Sequence, residues 1–306
     1  MEWEKIVIEV MEQSLFYFGD PTKRVAWPYI LSSILLSIYV FNSLKDKTLW
    51  SFNWKEMWLS KSALTDYSFW VFNAFVKVLL LAPYLIFGTK LAFYSNEWMI
   101  NTFGYFEGFE ATTLFLLLYS LVLVVVNDLG TYIVHSLFHF VPFLWRFHKV
   151  HHSATSLNPF TQYRIHPVEL FVNNFKYITV FGLVTGLFDY LTASGFHILT
   201  FWGANVFSFA FLLFGSNLRH TPIPLKYFSW LENWLISPFQ HQIHHSNNKE
   251  HHNKNMGSKL AVWDRIFGTL LRSDGVDKID FGIGEGKEHY VGFWKNLFTP
   301  FLFNKK

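Results

Sequence analysis

The chain has 306 residues and a formal net charge of +3, with 51% hydrophobic, 21% aromatic and only 15% charged residues. A soluble domain carries about 25% charged residues, so this composition points to a membrane protein, and the small positive charge gives no support to nucleic-acid binding. Cysteine is absent, which excludes disulfides, thiolate metal sites, cysteine-held iron–sulfur clusters and a cysteine nucleophile; any transition metal must be held by His, Asp or Glu.

Residues 1–26 carry Glu2, Glu4, Glu9, Glu12 and Asp20 and lack the basic start, apolar core and small-residue cleavage site of a signal peptide, so the first hydrophobic stretch is expected to be retained. Five stretches approach the roughly 20 apolar residues of a spanning helix: 27–44, 68–89, 111–134, 170–190 and 195–216. The third is the clearest. The fourth is weakened by Asn173, Asn174 and Lys176 near its start and is read as a hairpin with the fifth around Asp189–Ser194. Orientation follows from the loop Lys and Arg. Loop 45–67 holds Lys45, Lys47, Lys55 and Lys61, segment 135–169 holds Arg146, Lys149 and Arg164, and segment 217–306 holds twelve Lys and Arg; loop 90–110 holds Lys90 against Glu97, Glu107 and Glu110. Alternation places the first three in the cytoplasm, and the N-terminus and 90–110 on the other side. Beyond Thr269 the tail is polar, and Gly282, Gly284 and Gly286 read as loop.

Thirteen of the fourteen histidines lie between 135 and 252. His135 and His139 are four apart at the end of the third span and share one helical face. His148-Lys-Val-His151-His152 and His241-Gln-Ile-His244-His245 each bring histidines three and four apart to one side. Neutral imidazole is a strong ligand for Fe, Cu, Zn and Ni, and eight imidazoles suit two metals. A structural zinc site needs only four ligands and usually employs Cys. No His-Glu-x-x-His is present, so a zinc metalloprotease has no support. His197 and His289 read as structural singletons. Asp128, Tyr132, His135 and His139 are spaced four, three and four apart, on one face. Asp128 and Tyr132 are read either as a polar relay beneath the metals or as hydrogen-bonding groups toward a neighbouring helix.

The HxxxH, HxxHH and HxxHH series, with Asp128-Leu-Gly-Thr-Tyr132 before the first box, Arg164-Ile-His-Pro-Val-Glu169 after the second and Trp263-Asp-Arg-Ile-Phe-Gly268 after the third, resembles the fatty acid hydroxylase/sterol desaturase superfamily over roughly 110–270. The resemblance implies a membrane helical hairpin pair capped by a cytoplasmic histidine-rich domain, a di-iron centre and O2-dependent lipid oxidation. Its ligands map onto His135, His139, His148, His151, His152, His241, His244 and His245, with His220 as a further ligand before the third box. Where some members carry a second histidine before that one, this chain has Phe-Gly-Ser-Asn-Leu-Arg, with Asn217 or a water as the stand-in. His251 is a candidate tenth ligand or a supporting group, and His166 a supporting or structural one.

The expected fold is all-α, a multi-span membrane bundle of about five transmembrane helices with a cytoplasmic histidine-rich helical cap. Its expected parts are an N-terminal membrane region with two spans (1–110), a catalytic domain (111–270) and a cytoplasmic tail (271–306). The expected activity is hydroxylation or desaturation of a lipid, sterol, sphingolipid, fatty acyl or ether lipid, by two iron ions, with zinc as a misloading metal. The sequence has no dinucleotide fingerprint, cluster cysteines or appended haem module, so electrons are expected from a separate reductase or small carrier. Two other classes stay open: a membrane-anchored zinc-dependent hydrolase, and a metal transporter, which would place its ligands inside the spans.

Overall fold

The computed structural model describes residues 16–43, 53–81, 84–192, 194–276, 279–284 and 287–302. In chain order the helices are α1 (Trp27–Ser43), α2 (Trp54–Leu59), α3 (Lys61–Val76), α4 (Leu85–Phe103), α5 (Thr113–Phe140), α6 (Pro142–His152), α7 (Pro167–Tyr190), α8 (Val206–Leu213), α9 (Pro238–His244), α10 (Val262–Phe267) and α11 (Phe293–Phe298). A hairpin of two-residue strands, β1 (Thr200–Phe201) and β2 (Ala204–Asn205), is the departure from an all-α chain among the described residues.

The frame is a bundle of α4, α5 and α7. Two glycines let α7 press against α4. A Cβ on Gly182 would meet Leu91 Cβ at 2.7 Å, and one on Gly186 would meet the Ala92 carbonyl oxygen at 2.5 Å. On its other flank α7 meets α5 through Phe115, Tyr119, Leu123, Val184 and Phe188. The polar groups that weaken α7 as an apolar stretch are used across this interface: Lys176 Nζ donates to Asn127 Oδ1 and Thr131 Oγ1, both at 2.9 Å. An ion at such depth needs internal partners, and α5 supplies them.

Two helices, α5 and α7, are long and apolar enough to cross a membrane by length and composition among the described residues. The other expected spans take different forms. The stretch 27–44 becomes the 17-residue α1, which lies beside α8 and the turn Ser216–His220. Tyr29 packs on Phe209, Ser32 Oγ donates to the Leu213 carbonyl (2.7 Å), and Val40 meets Leu218 and Leu225. The stretch 68–89 takes in the end of α3, a π-helical turn at Lys77–Leu81 and the start of α4. The long helix of this region is α4, which contains Lys90 and Glu97, both expected in a loop. The stretch 195–216 is not a spanning helix: it returns along α5 in extended form, with Leu199 N donating to Ser120 Oγ (2.7 Å), then makes the β1–β2 hairpin and the eight-residue α8. The turn expected around Asp189–Ser194 is present, tied to the 104–112 loop by Phe109 N donating to the Leu191 carbonyl (2.8 Å).

At the opposite end, short helices and 3-10 turns build a cap over the last turns of α5. Its rim is pinned by Asp66 of α3, buried completely, which accepts from Arg164 Nε (2.6 Å), Thr161 Oγ1 (2.7 Å) and Asn158 Nδ2 (2.9 Å). Thr22, Lys23 and Arg24 line a cavity of this cap together with His135 and His148. The N-terminal segment at 22–24 therefore sits at the histidine end, not at the far end as the alternating topology had it; residues 1–15 lie outside the described residues.

Candidate metal centre

Three helices deliver the histidine boxes. Helix α5 continues past the apolar stretch to Phe140, so His135 and His139 occupy its last turns. Pro142 at the first position of α6 restarts the helix at once, and its last five residues carry His148, His151 and His152. Helix α9 begins with Ser237 as N-cap, Pro238 next, and Gln240 closing a reciprocal capping box, which fixes where His241, His244 and His245 point. Glu232 clamps that start by accepting from Ser237 Oγ (2.7 Å) and Ser273 N (2.9 Å).

The side chains form two groups. His135, His139, His148, His152 and His244 make one, and His151, His220, His241 and His245 the other; within each, one ligand atom per residue lies within 4.8 Å of all the rest. In each HxxHH box the first and last histidines, one helical turn apart, share a group, while the middle one crosses to the other. The second box sends two to the first group, and the third box sends two to the second.

Proton placement shows what these rings are ready to do. A backbone carbonyl only accepts, so the His135 contact to the Met256 carbonyl (2.7 Å) puts the proton on Nδ1. His148 Nδ1 faces Glu169 Oε1 at 2.9 Å, and His244 Nδ1 faces the Lys254 carbonyl at 2.8 Å. In the neutral imidazole each Nε2 is then a bare lone pair. Yet His135 Nε2 lies 3.0 Å from His148 Nε2, and His152 Nε2 lies 3.2 Å from the same atom. The His135 and His148 lone pairs cannot bond each other; a cation between them satisfies both. In the second group His151 Nδ1 donates to the Arg164 carbonyl (3.3 Å), His241 Nε2 lies 3.2 Å from His220 Nε2 and 3.3 Å from His245 Nε2, and His241 Nδ1 is buried with no partner. His139 Nε2 and His244 Nε2 are buried without any hydrogen-bond partner. The donor set therefore fits transition-metal ions, all-nitrogen and oriented by carbonyls and a carboxylate.

Burial enforces the neutral state. It pushes His148 and His151 down to about 3, and burial with the neighbouring rings holds His152, His220, His241, His244 and His245 well below the ordinary histidine range. These imidazoles stay uncharged at neutral pH, the form that binds metal.

The remaining expected site residues fall elsewhere. His251 is buried but belongs to neither group. Asp128 does not touch the histidines: its carboxylate accepts from Lys259 N, Leu260 N and Trp263 Nε1 at 2.9–3.1 Å, so it ties the loop before α10 to α5. Tyr132 bonds Thr269 Oγ1 (3.0 Å) and stacks on Phe267. Of the two readings of these residues, the geometry is that of hydrogen bonds to neighbouring segments. His166 caps α7, accepting from Val168 N and donating to the Leu297 carbonyl. Asn217 is buried beside His220, with both polar side-chain atoms unpartnered. The reading of single residues missed Glu169 as the partner of His148, although it stands at the end of the Arg-Ile-His-Pro-Val-Glu string, a carboxylate in the first turn of an apolar helix.

The fatty acid hydroxylase family model matches residues 120–269. Among curated proteins, the chain is 31% identical over 180 residues to the ornithine lipid hydroxylase OlsE of Rhizobium tropici, covering 58% of this chain and 48% of the relative. It is 27% identical over 190 residues to the alkylglycerol monooxygenase of Homo sapiens, covering 58% of this chain and 38% of the relative. It is 31% identical over 167 residues to the cholesterol 25-hydroxylase of Homo sapiens, covering 53% and 54%. The chain thus spans about half or less of the length of the first relatives it matches. No solved structure matches it. The matched stretch holds all nine clustered histidines, and the chain belongs to the fatty acid hydroxylase/sterol desaturase superfamily.

Proposed function

We propose that the chain is a multi-pass membrane oxygenase whose nine clustered histidines hold two iron ions, and which hydroxylates or desaturates a C–H bond of a lipid using O2 and electrons from a separate donor. The observation that carries this is the convergence of imidazole nitrogens, one per histidine, in two adjoining groups of five and four. Iron, when bound, supplies O2 activation and removal of hydrogen from an unactivated carbon. The chain's residues hold the imidazoles neutral, aim them through Met256, Lys254, Arg164 and Glu169, and enclose the centre away from bulk water. The printed names of the relatives, lipid and sterol hydroxylases and a monooxygenase, support the same class of reaction.

The charge distribution supports a cytoplasmic histidine end. The far loop 104–112 carries Glu107 and Glu110 and no Lys or Arg, while α6 alone carries Arg146 and Lys149. A catalytic zinc site uses three protein ligands with a water in the fourth position, and neither histidine group has that form.

Metal analysis of protein purified in detergent without added metal tests the proposal, beside the His148→Ala/His245→Ala variant, which removes one member of each histidine group. Two irons per chain, lost in the variant, together with an O2-dependent lipid product, is the expected result. One zinc per chain, or metal that survives both substitutions, overturns it. Two zincs call for reconstitution with ferrous iron and the same product assay.

A further inference from the structure

Five of the clustered histidines, His135, His148, His151, His220 and His241, line a cavity of about 330 Å³, a size within the range of small-molecule sites, about 300–1,000 Å³. Arg24, Lys77 and Arg219 line the same cavity from three separate elements: the segment before α1, the π-helical turn Lys77–Leu81, and the turn Ser216–His220. Lys23 also reaches it but is paired with Asp20 at 3.3 Å. Among the described residues no carboxylate lies within ion-pair distance of Arg24, Lys77 or Arg219. The one carboxylate in the lining, Glu169, faces His148.

Arg219 is the sharpest case. It is 1% exposed; its Nη2 donates to the Ile236 carbonyl (3.2 Å), its guanidinium lies over the Phe211 ring, and its Nε has no partner. Burying a charge without a counter-ion is strongly unfavourable. Basic residues that merely greet an anionic membrane lie on the surface, whereas Arg219 is enclosed. Lys77 opens a π-helical turn, a distortion common at functional sites, and its Nζ makes a long contact to Tyr17 Oη at 3.5 Å and lies over that ring at 5.8 Å. Guanidinium and ammonium groups around one cavity match an oxyanion, which arginine grips through paired N–H donors.

We propose that this cavity binds an anionic group of the lipid substrate, a phosphate or carboxylate, held by Arg24, Lys77 and Arg219 beside the metal centre. The assignment rests on the oxygenase reading above and narrows it: the cations and the histidines share one cavity, so the oxidised carbon lies close to the anionic group, not at the far end of a long acyl chain.

Isothermal titration of the full-length, metal-loaded protein in neutral detergent tests this with three probes: decyl phosphate, decyl glucoside and inorganic phosphate. The expected result is decyl phosphate binding at least about tenfold tighter than either other probe, a gap equal to one factor of ten in Kd. Arg24→Gln and Lys77→Gln each abolish most of that preference, and Lys77→Arg restores it, with metal content and thermal midpoint unchanged. Equal binding of decyl phosphate and decyl glucoside overturns the proposal. So does a preference that persists in both Gln variants, since the metals would then be holding the anion. Inorganic phosphate binding as tightly as decyl phosphate overturns the lipid headgroup and leaves a soluble anion as the ligand. Metal content measured on the same sample reports separately on the oxygenase reading, so a protein that selects decyl phosphate but holds no iron counts against that reading alone.

Discussion

His151 and His152 are adjacent in the chain, yet their rings belong to different histidine groups, with centroids 5.7 Å apart and planes at 87°. The same division separates His244 from His245, centroids 5.5 Å and planes at 88°. A helix turns about 100° per residue, so neighbouring side chains diverge while residues four apart align. One HxxHH box can therefore serve two metals at once, and the two groups abut along α6 and α9.

This division gives a stoichiometric test. His152→Ala removes a member of the five-histidine group, and His245→Ala a member of the four-histidine group. Each variant is expected to retain about one metal per chain where the parent holds two, read by elemental analysis. Complete loss of both metals in each variant would mean that the two groups load as one unit.

Glu169 faces His148 at 2.9 Å and sets its tautomer. Substitution of a group that orients a metal-bound imidazole typically lowers metal affinity about 10–100-fold. Glu169→Ala is expected to weaken metal binding by that factor, measured by competition with a chelator, and Glu169→Gln by less because its amide oxygen still accepts from Nδ1. Unchanged affinity in Glu169→Ala would show that the carboxylate is not an orienting group.

Asp128 anchors the 259–263 loop to α5 through three donors. Asp128→Asn replaces one of the two accepting oxygens with a group that donates, leaving either Lys259 N, or Leu260 N and Trp263 Nε1, unmatched at a cost of about 1–3 kcal/mol. A lower thermal midpoint with unchanged metal content is expected. Loss of metal with an unchanged midpoint would instead restore the relay role.

The Asp66–Arg164 pair is buried on both sides, at 2.6 Å. Removing one member of such a pair typically costs about 3–5 kcal/mol. Arg164→Met should lower the midpoint strongly, and Asp66→Leu/Arg164→Met should recover part of the loss. A double variant no better than the single one would mean that Asp66's bonds to Thr161 and Asn158 dominate.

The metal-free protein should lose stability in acid. His148 and His151 are held at about 3 when folded and return to about 6.5 when unfolded. The unfolded chain therefore takes up protons first, and stability present above pH 6.5 declines as pH falls toward 3. At pH 5 each contributes a loss of about 2 kcal/mol. Thermal midpoints between pH 8 and 5 check this, and metal loading should flatten the decline.

Much of the centre was legible because imidazoles at helical spacing have few other reasons to recur. The spacing could not say which ring of each box goes to which group, since that depends on how α6 and α9 face each other. It also could not place His251, whose neighbourhood is set by a loop, or separate a relay from a tether at Asp128, whose partners lie more than a hundred residues away. The membrane reading matches α5 and α7, which are long and apolar enough to cross a membrane although each carries a few polar residues. The second expected span divides between α3 and α4, the latter carrying Lys90 and Glu97, and the fifth was read as a helix because an extended segment packed against α5 is as apolar as a helix would be. The alternation of spans failed at 22–24, where α1 packs beside α8 and the Ser216–His220 turn.

The two groups also differ in how far along the chain they must reach. Four of the five members of the first group, His135, His139, His148 and His152, fall on the consecutive helices α5 and α6, and only His244 comes from afar. The second group draws on His151, His220, His241 and His245, with the whole of α7 and α8 between the first two. Contacts local in sequence form early, and distant ones wait for the intervening chain. During synthesis the first histidine group can be nearly complete once α6 has emerged, whereas the second must await α9, so the order of translation sets the order in which the two groups come together.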